Sequence, residues 1–316
     1  MGDQARRVAV TGAAGYVGTS LIKRLEHEEA VEKVLALDIR YPETPFGPTV
    51  TFHSQDVTAP MAEVLAEHDI DSVIHLAFVM RPRDNRAERV NVHGTSRVLE
   101  ACAQTGVSYV MYLSSTTVYG AHRHNPSELT EESPVRPVKG FRYGEHKAEA
   151  EASISRFAKD HPDLAVTILR ACPVMGPNAD NFISQAFSKP FLVAVRGHDP
   201  AMQLLHEDDL IDSLTACFLQ RSDGVYNLAG EGTLRWSELA SLFGRRLVTL
   251  PAPLLYGLTG LTWALRLQSD SPPCGLDFIR YRWTANARKI QQEVGVSPRF
   301  SSEDAWIAFV NRARVD

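Results

Sequence analysis

The chain has 316 residues, 44% hydrophobic and 22% charged, a composition that suits one large core or two domains and excludes disordered and repeat architectures. Its formal net charge of -5, with no cluster of lysine or arginine, leaves no electrostatic footprint for nucleic acid, so a small-molecule partner is expected. The polar opening carries no signal-peptide pattern. Cys102, Cys172, Cys217 and Cys274 are far apart and form neither a CxxC pair nor a zinc spacing, which fits free thiols, no metal site and a cytoplasmic location.

The first half alternates short β-branched runs with helical patterns, which predicts βαβ units and a parallel sheet. A strand at 7–10 runs into Thr11-Gly12-Ala13-Ala14-Gly15-Tyr16-Val17-Gly18, where a helix at 16–27 begins. A glycine pattern between strand and helix is the setting of a dinucleotide site. Gly12 permits the tight turn, Gly15 lets the backbone approach a pyrophosphate, and Gly18 lets helix pack on strand, while Tyr16 and Val17 belong to the helix N-terminus that faces the anion. The spacing is GxxGxxG rather than the commoner GxGxxG. The strand at 34–37 ends at Asp38, 20 residues past Gly18, where a carboxylate accepts ribose hydroxyls and favours NAD over NADP. Ile39 follows, and Arg40 is the residue that would instead suit a 2′-phosphate.

A third strand at 49–53 leads into Gln55-Asp56-Val57, placed to meet adenine. After a helix at 61–67, the strand at 72–76 closes on His75-Leu76-Ala77-Phe78, beneath the ribose and nicotinamide. His75 is read as a packed core histidine rather than a catalyst. A helix at 88–105 opens on Asn91-Val92-His93-Gly94-Thr95, in which Asn91 either orders a backbone near the site or lies on the surface. The strand at 109–114 ends in Ser114-Ser115-Thr116-Thr117-Val118-Tyr119-Gly120, which puts hydroxyls at the sheet edge where doubly wound folds bind ligands.

The helix at 143–159 opens with Tyr143-Gly144-Glu145-His146-Lys147. One turn separates Tyr143 from Lys147, so both face the same way. A free tyrosine titrates near 10, and a nearby ammonium stabilises the phenolate, which lets Tyr143 exchange a proton near neutral pH. Ser115 would hydrogen-bond the substrate oxygen meanwhile. A strand at 166–170 ends the regular part; beyond it Pro173, Pro177, Pro190, Pro200, Pro251, Pro253, Pro272 and Pro273 punctuate a loop-rich remainder. The apolar run 251–267 is broken by glycines and Arg266 and falls short of the roughly 20 residues that span a bilayer, so stable membrane insertion is not expected. A core or lid helix is the reading, with a substrate-pocket wall or membrane-surface contact as alternatives.

Taken together, TGAAGYVG, Asp38, HLAF, NVHGT, SSTTVYG and YGEHK resemble the extended short-chain dehydrogenase/reductase superfamily, in its epimerase/dehydratase group. RACPVMGP at 170–177, His206-Glu207-Asp208-Asp209 and Tyr226-Asn227-Leu228-Ala229 look like its later landmarks. The resemblance implies an α/β fold, a Rossmann-type doubly wound parallel sheet with a smaller, discontinuous α+β substrate domain. The NAD-binding domain would span 1–173 with a return segment at 205–228, and the substrate domain 174–204 and 229–316. NAD as cofactor, a catalytic Ser115, Tyr143 and Lys147, further cofactor contacts from Asn91, Tyr143, Lys147 and Pro173, and a homodimer through the helices at 88–105 and 143–159 are implied as well.

The substrate side departs from the group. Nucleotide-sugar members usually carry an asparagine where Pro173 stands, an arginine where Met202 stands and an aspartate where Thr284 stands. A diphosphate without such partners binds poorly, which speaks against a standard nucleotide sugar. Arg81, Arg83, Arg196, Arg280 and Arg282 are read as surface or inter-domain charges before replacement anchors. The expectation is an NAD-dependent oxidoreductase acting by hydride transfer at a secondary alcohol or ketone of a fairly apolar small molecule. The alternatives are a sugar or nucleotide-sugar epimerase or dehydratase that recycles NAD, with Thr116 or Glu145 assisting, and a non-catalytic NAD-binding sensor.

Overall fold

The computed structural model describes residues 5–80, 85–268 and 271–313. In chain order, β1 (Arg6–Thr11), α1 (Tyr16–Leu25), β2 (Val31–Asp38), β3 (Val50–Ser54), α2 (Ala62–Glu67) and β4 (Ser72–His75) come first. Next, α3 (Asn85–Glu88) passes through a π-helical turn at Arg89–His93 into α4 (Gly94–Thr105), and β5 (Tyr109–Ser115) runs into a 3-10 turn at Thr116–Tyr119. After α5 (Arg142–Asp160) and β6 (Ala165–Ala171) come the short β7 (Val174–Met175), α6 (Phe182–Ala186), β8 (Phe191–Val195), β9 (Ala201–Met202) and β10 (Leu205–His206). The chain returns through α7 (Glu207–Gln220) and β11 (Gly224–Leu228), then continues as β12 (Leu234–Arg235), α8 (Trp236–Phe243), β13 (Arg246–Leu250) and α9 (Ala252–Ala264). A 3-10 segment at Pro273–Ile279, α10 (Arg288–Glu293) and α11 (Ser302–Ala313) complete it.

Seven strands form one parallel sheet in the order β11-β6-β5-β4-β1-β2-β3. The register is parallel where β1 pairs with β2 and β4, β2 with β3, and β4 with β5. Val8, Ala9 and Val10 are all fully buried, so β1 is covered on both faces, as its unbroken apolar run requires. Strand order reverses about β1, and the carboxyl ends of β1 and β4 flank that reversal, where an open α/β sheet leaves its ligand crevice.

Two compact units emerge: Met1–Ser114 with Glu149–Leu169 and Ile211–Tyr226, and Ser115–Ala148 with Arg170–Leu210 and Asn227–Asp316. The first packs Leu35, Leu37, Val73, Val98, Val110 and Ile168 into its core. The second is built around Trp306, whose ring meets those of Phe187 at 4.5 Å and Phe309 at 5.3 Å and whose indole N–H donates to the Leu239 carbonyl at 3.2 Å.

Two expectations need correction. The helix at 88–105 is not one regular helix, because the π-helical turn interrupts it around Asn91. Nor is the apolar run 251–267 a core helix: α9 buries Leu255, but Leu254, Leu258, Leu261 and Leu265 are exposed, since only its inner face packs, against the 3-10 segment Pro273–Ile279. Among the described residues no helix is long and apolar enough to cross a membrane.

Candidate active site

The glycine loop follows β1 directly. Gly12 has φ 72°, a left-handed conformation, and a Cβ there would lie 2.7 Å from the Ala77 nitrogen, so no other residue fits between β1 and the end of β4. A Cβ on Gly18 would come within 2.2 Å of the Gly12 carbonyl oxygen, so this glycine packs α1 onto its own turn rather than onto the strand. Gly15 caps α1 with no side-chain hydrogen bond, and α1 has no acid in its first turn. The amides beside Tyr16 and Val17 therefore form an uncapped, positively polarised terminus that suits a pyrophosphate.

Asp38 ends β2 as a buried carboxylate. One oxygen accepts the Ala14 N–H at 3.0 Å and the other the Arg40 N–H at 2.9 Å, so Asp38 ties the glycine loop to the end of β2 and keeps further lone pairs for hydroxyl donors. The Arg40 guanidinium is exposed and stands 3.8 Å from that carboxylate. Ile39 is exposed beside it. Asp56 accepts both the N–H and the hydroxyl of Thr58 at 2.8 Å, while Val57 is buried.

Behind Leu76, Ala77 and Phe78 lies a chain of buried polar groups. His75 Nδ1 meets the Thr11 hydroxyl at 2.7 Å and Nε2 meets the Thr95 hydroxyl at 3.0 Å. Thr95 donates its proton to the Asn91 carbonyl at 2.8 Å, so Nε2 carries a hydrogen and donates it to the Thr95 oxygen. The Thr11 oxygen accepts the Ala77 N–H at 3.3 Å. His75 is thus a packed core histidine. Asn91 is fully buried and bonds to both the N–H and the carbonyl of Val79, which settles its reading as a residue that orders backbone.

Ser115, Tyr143 and Lys147 lie in the other unit, together with Thr116 and Thr117. Ser115 ends β5, and its oxygen accepts the Thr117 N–H at 3.2 Å, which directs its own proton away from the turn. The Ser115 hydroxyl and the Tyr143 phenol share a hydrogen bond: burial pushes the phenol above its ordinary value, and the Ser115 hydrogen bond pulls the other way. Lys147 is buried one turn along α5. Gly144 allows this close approach, because a Cβ there would sit 3.1 Å from the Thr117 carbonyl oxygen.

Several participants were not anticipated. Thr11 and Thr95 flank His75. Glu151, buried one further turn beyond Lys147, accepts the Ser114 hydroxyl; its i+8 spacing from Tyr143 was the available signal. Tyr119 and Asn227, each noted only inside a motif, bond at 2.7 Å, and the buried Arg170 donates to Tyr119 at 2.9 Å.

Two of the substrate-side departures are engaged within the second unit. Met202 is buried in the second unit's core, and the Thr284 hydroxyl donates to the Ser127 carbonyl at 2.9 Å. Pro173 shares a narrow crevice with Cys172, Gln203, Trp283 and Thr284. Arg196 and Arg282 are exposed, Arg280 stacks on Tyr256 and Tyr281, and Arg81 and Arg83 lie outside the described residues. Among the described residues no group of three histidine, cysteine, aspartate or glutamate side chains is arranged to hold a metal.

Comparison with known proteins places this arrangement. The model of the NAD dependent epimerase/dehydratase family matches residues 8–229. An uncharacterized protein of Mycobacterium tuberculosis is 26% identical over 311 residues, covering 95% of this chain and 82% of its own length. The dTDP-glucose 4,6-dehydratase of Streptomyces griseus is 27% identical over 326 residues, 95% of this chain and 92% of that one. Among solved structures, MoeE5 in complex with UDP-glucuronic acid and NAD is 26% identical, with a TM-score of 0.76 over 98% of this chain and 99% of that one. The dTDP-glucose 4,6-dehydratase of Bacillus anthracis in complex with NAD shares the fold at 19% identity and the same TM-score, over 99% and 97% of the two chains.

Proposed function

The chain belongs to the NAD dependent epimerase/dehydratase family, and on that premise we propose that it oxidises a secondary alcohol, or reduces the corresponding ketone, with NAD as hydride carrier. The observation that carries this reading is the hydrogen bond between Ser115 and Tyr143, the latter on the helix that also carries Lys147. When bound, NAD supplies the hydride acceptor. Gly12, Gly15, Tyr16, Val17 and Gly18 would hold its pyrophosphate, Asp38 its adenosine ribose, and Ile39, Arg40, Asp56 and Val57 its adenine end. Leu76, Ala77, Phe78, Asn91 and Pro173 would line the rest.

Tyr143 takes the proton of the substrate hydroxyl and Ser115 donates to the same oxygen as charge develops there. The Lys147 ammonium stabilises the phenolate. On this reading the first 173 residues with the return segment at 205–228 serve the cofactor and the remainder serves the substrate. The enzyme works as a cytoplasmic homodimer paired through α4 and α5.

Apolar Met202 and internally bonded Thr284 favour a substrate without a diphosphate. A second reading, a nucleotide-sugar epimerase or dehydratase that recycles NAD, is favoured by the likeness to MoeE5, whose complex contains UDP-glucuronic acid. Incubation with NAD against panels of secondary alcohols and of nucleotide sugars separates them. The proposal expects NADH to accumulate one-for-one with a ketone product; conversion of a nucleotide sugar without net NADH would replace it with the second reading.

A further inference from the structure

The ordinary amphipathic pattern is missing from α9, which buries Leu255 and is apolar on its outer face as well. Tyr256, Thr259 and Trp263 turn toward the protein, while Leu254, Leu258, Leu261 and Leu265 recur at spacings of four, three and four on the outer face. With Leu267 just beyond the helix, these five leucines are 46 to 73% exposed. Soluble monomers seldom keep such a contiguous row uncovered.

The stretch of chain that leads into and forms the row carries charge of one sign. From Leu239 to Gln268 the sequence contains Arg245, Arg246 and Arg266 and no acidic residue, the bounding acids being Glu238 and Asp270, in a chain whose net charge is -5. Asp277, on the segment under α9, accepts the Tyr256 hydroxyl at 2.5 Å, and the Arg280 guanidinium lies 5.6 Å from the Tyr256 ring centre.

The end of the helix points the same way. The Leu267 N–H bonds to the Thr262 carbonyl and the Arg266 N–H to the Trp263 carbonyl, a Schellman turn whose left-handed position, φ 57°, is filled by Arg266. Glycine would be free of strain there, and a non-glycine residue costs about 1–2 kcal/mol. Arg266 thus stands at the end of the leucine row, exposed and in a conformation that glycine would adopt more readily.

A second copy of the chain is the poorer occupant. Five half-exposed leucines offer an apolar area of a few hundred Å², whereas a stable dimer buries about 800 Å² per partner. We propose that α9 is a peripheral membrane-docking helix, its leucine row entering the interface of an anionic bilayer with Arg266 at the headgroups.

The test is co-sedimentation of the full chain with vesicles of phosphatidylcholine alone and of phosphatidylcholine mixed with phosphatidylglycerol, with sedimentation velocity in the absence of lipid. The expected result is binding to the anionic vesicles, weakened by salt, and reduced more than about tenfold in the Leu258→Asp/Leu261→Asp variant. Should that variant fail to fold, Arg266→Glu is expected to lower binding to anionic vesicles several-fold while leaving that to phosphatidylcholine unchanged. Absence of vesicle binding, or equal binding by wild type and the folded variants, overturns the proposal. So does a loss of self-association in the aspartate variant without any vesicle binding, which would assign the row to a second copy.

Discussion

Asn91 holds both polar groups of Val79: its Oδ1 accepts the Val79 N–H at 2.7 Å and its Nδ2 donates to the Val79 carbonyl at 3.0 Å. The π-helical turn lets a residue inside a helical run reach across to the strand-end segment in this way. Its own carbonyl takes the Thr95 proton that fixes His75, so one side chain and one carbonyl organise the backbone following β4.

Asn91→Ala should therefore destabilise the fold by about 1–3 kcal/mol, the cost of leaving such backbone groups without their partner. NAD affinity should fall roughly tenfold, since 1.4 kcal/mol of lost positioning is a factor of ten. Denaturant unfolding and calorimetric titration with NAD measure the two effects. Unchanged affinity in the destabilised variant would confine Asn91 to a stabilising role.

Gly12 and Gly106 share φ 72°, yet their surroundings differ. A Cβ at Gly106 meets nothing within 4 Å, whereas at Gly12 it meets Ala77 backbone atoms at 2.7 and 2.8 Å. Gly106→Ala should cost only the left-handed penalty, about 1–2 kcal/mol, and leave NAD binding intact. Gly12→Ala should cost more and abolish NAD binding, because β1 and the end of β4 must separate. Equal thermal shifts for the two variants would show that space at Gly12 is not limiting.

The parts legible in the sequence were those whose spacing equals a structural period. Tyr143 and Lys147 fall one turn apart in any helix, and a glycine pattern between strand and helix has few backbone solutions. The π-helical turn was not legible, because 88–105 keeps a helical pattern and the deviation depends on Asn91 finding Val79, a partner distant in sequence. The inward partnership of Tyr119, Arg170 and Asn227 was hidden for the same reason. For α9 the composition was apolar as a core helix is, but burial depends on what covers the outer face, and composition carries no information on that.

The pH dependence of oxidation follows from Tyr143. Burial raises its phenol above the ordinary value, so the free protein keeps it protonated at neutral pH, and the rate of alcohol oxidation should rise as pH increases toward the phenol's titration. On the proposed mechanism, Lys147→Met removes the cation that favours the phenolate. The ascending limb of the kcat/KM profile should then move to higher pH, with about a 10²-fold loss of rate at neutral pH. A profile unmoved by this substitution would separate Lys147 from the titration.

The central claim, proton transfer by Tyr143 coupled to NAD reduction, is tested most directly by Tyr143→Phe. The measurement is NADH formation on a secondary alcohol accepted by the wild type, with NAD affinity determined in parallel. The phenylalanine ring keeps the packing against Phe141, which meets Tyr143 at 6.1 Å between ring centres, but loses the hydroxyl that shares a hydrogen bond with Ser115. NAD binding should persist while turnover falls by about 10²–10⁴-fold. Turnover at the wild-type rate with bound NAD would contradict the assignment.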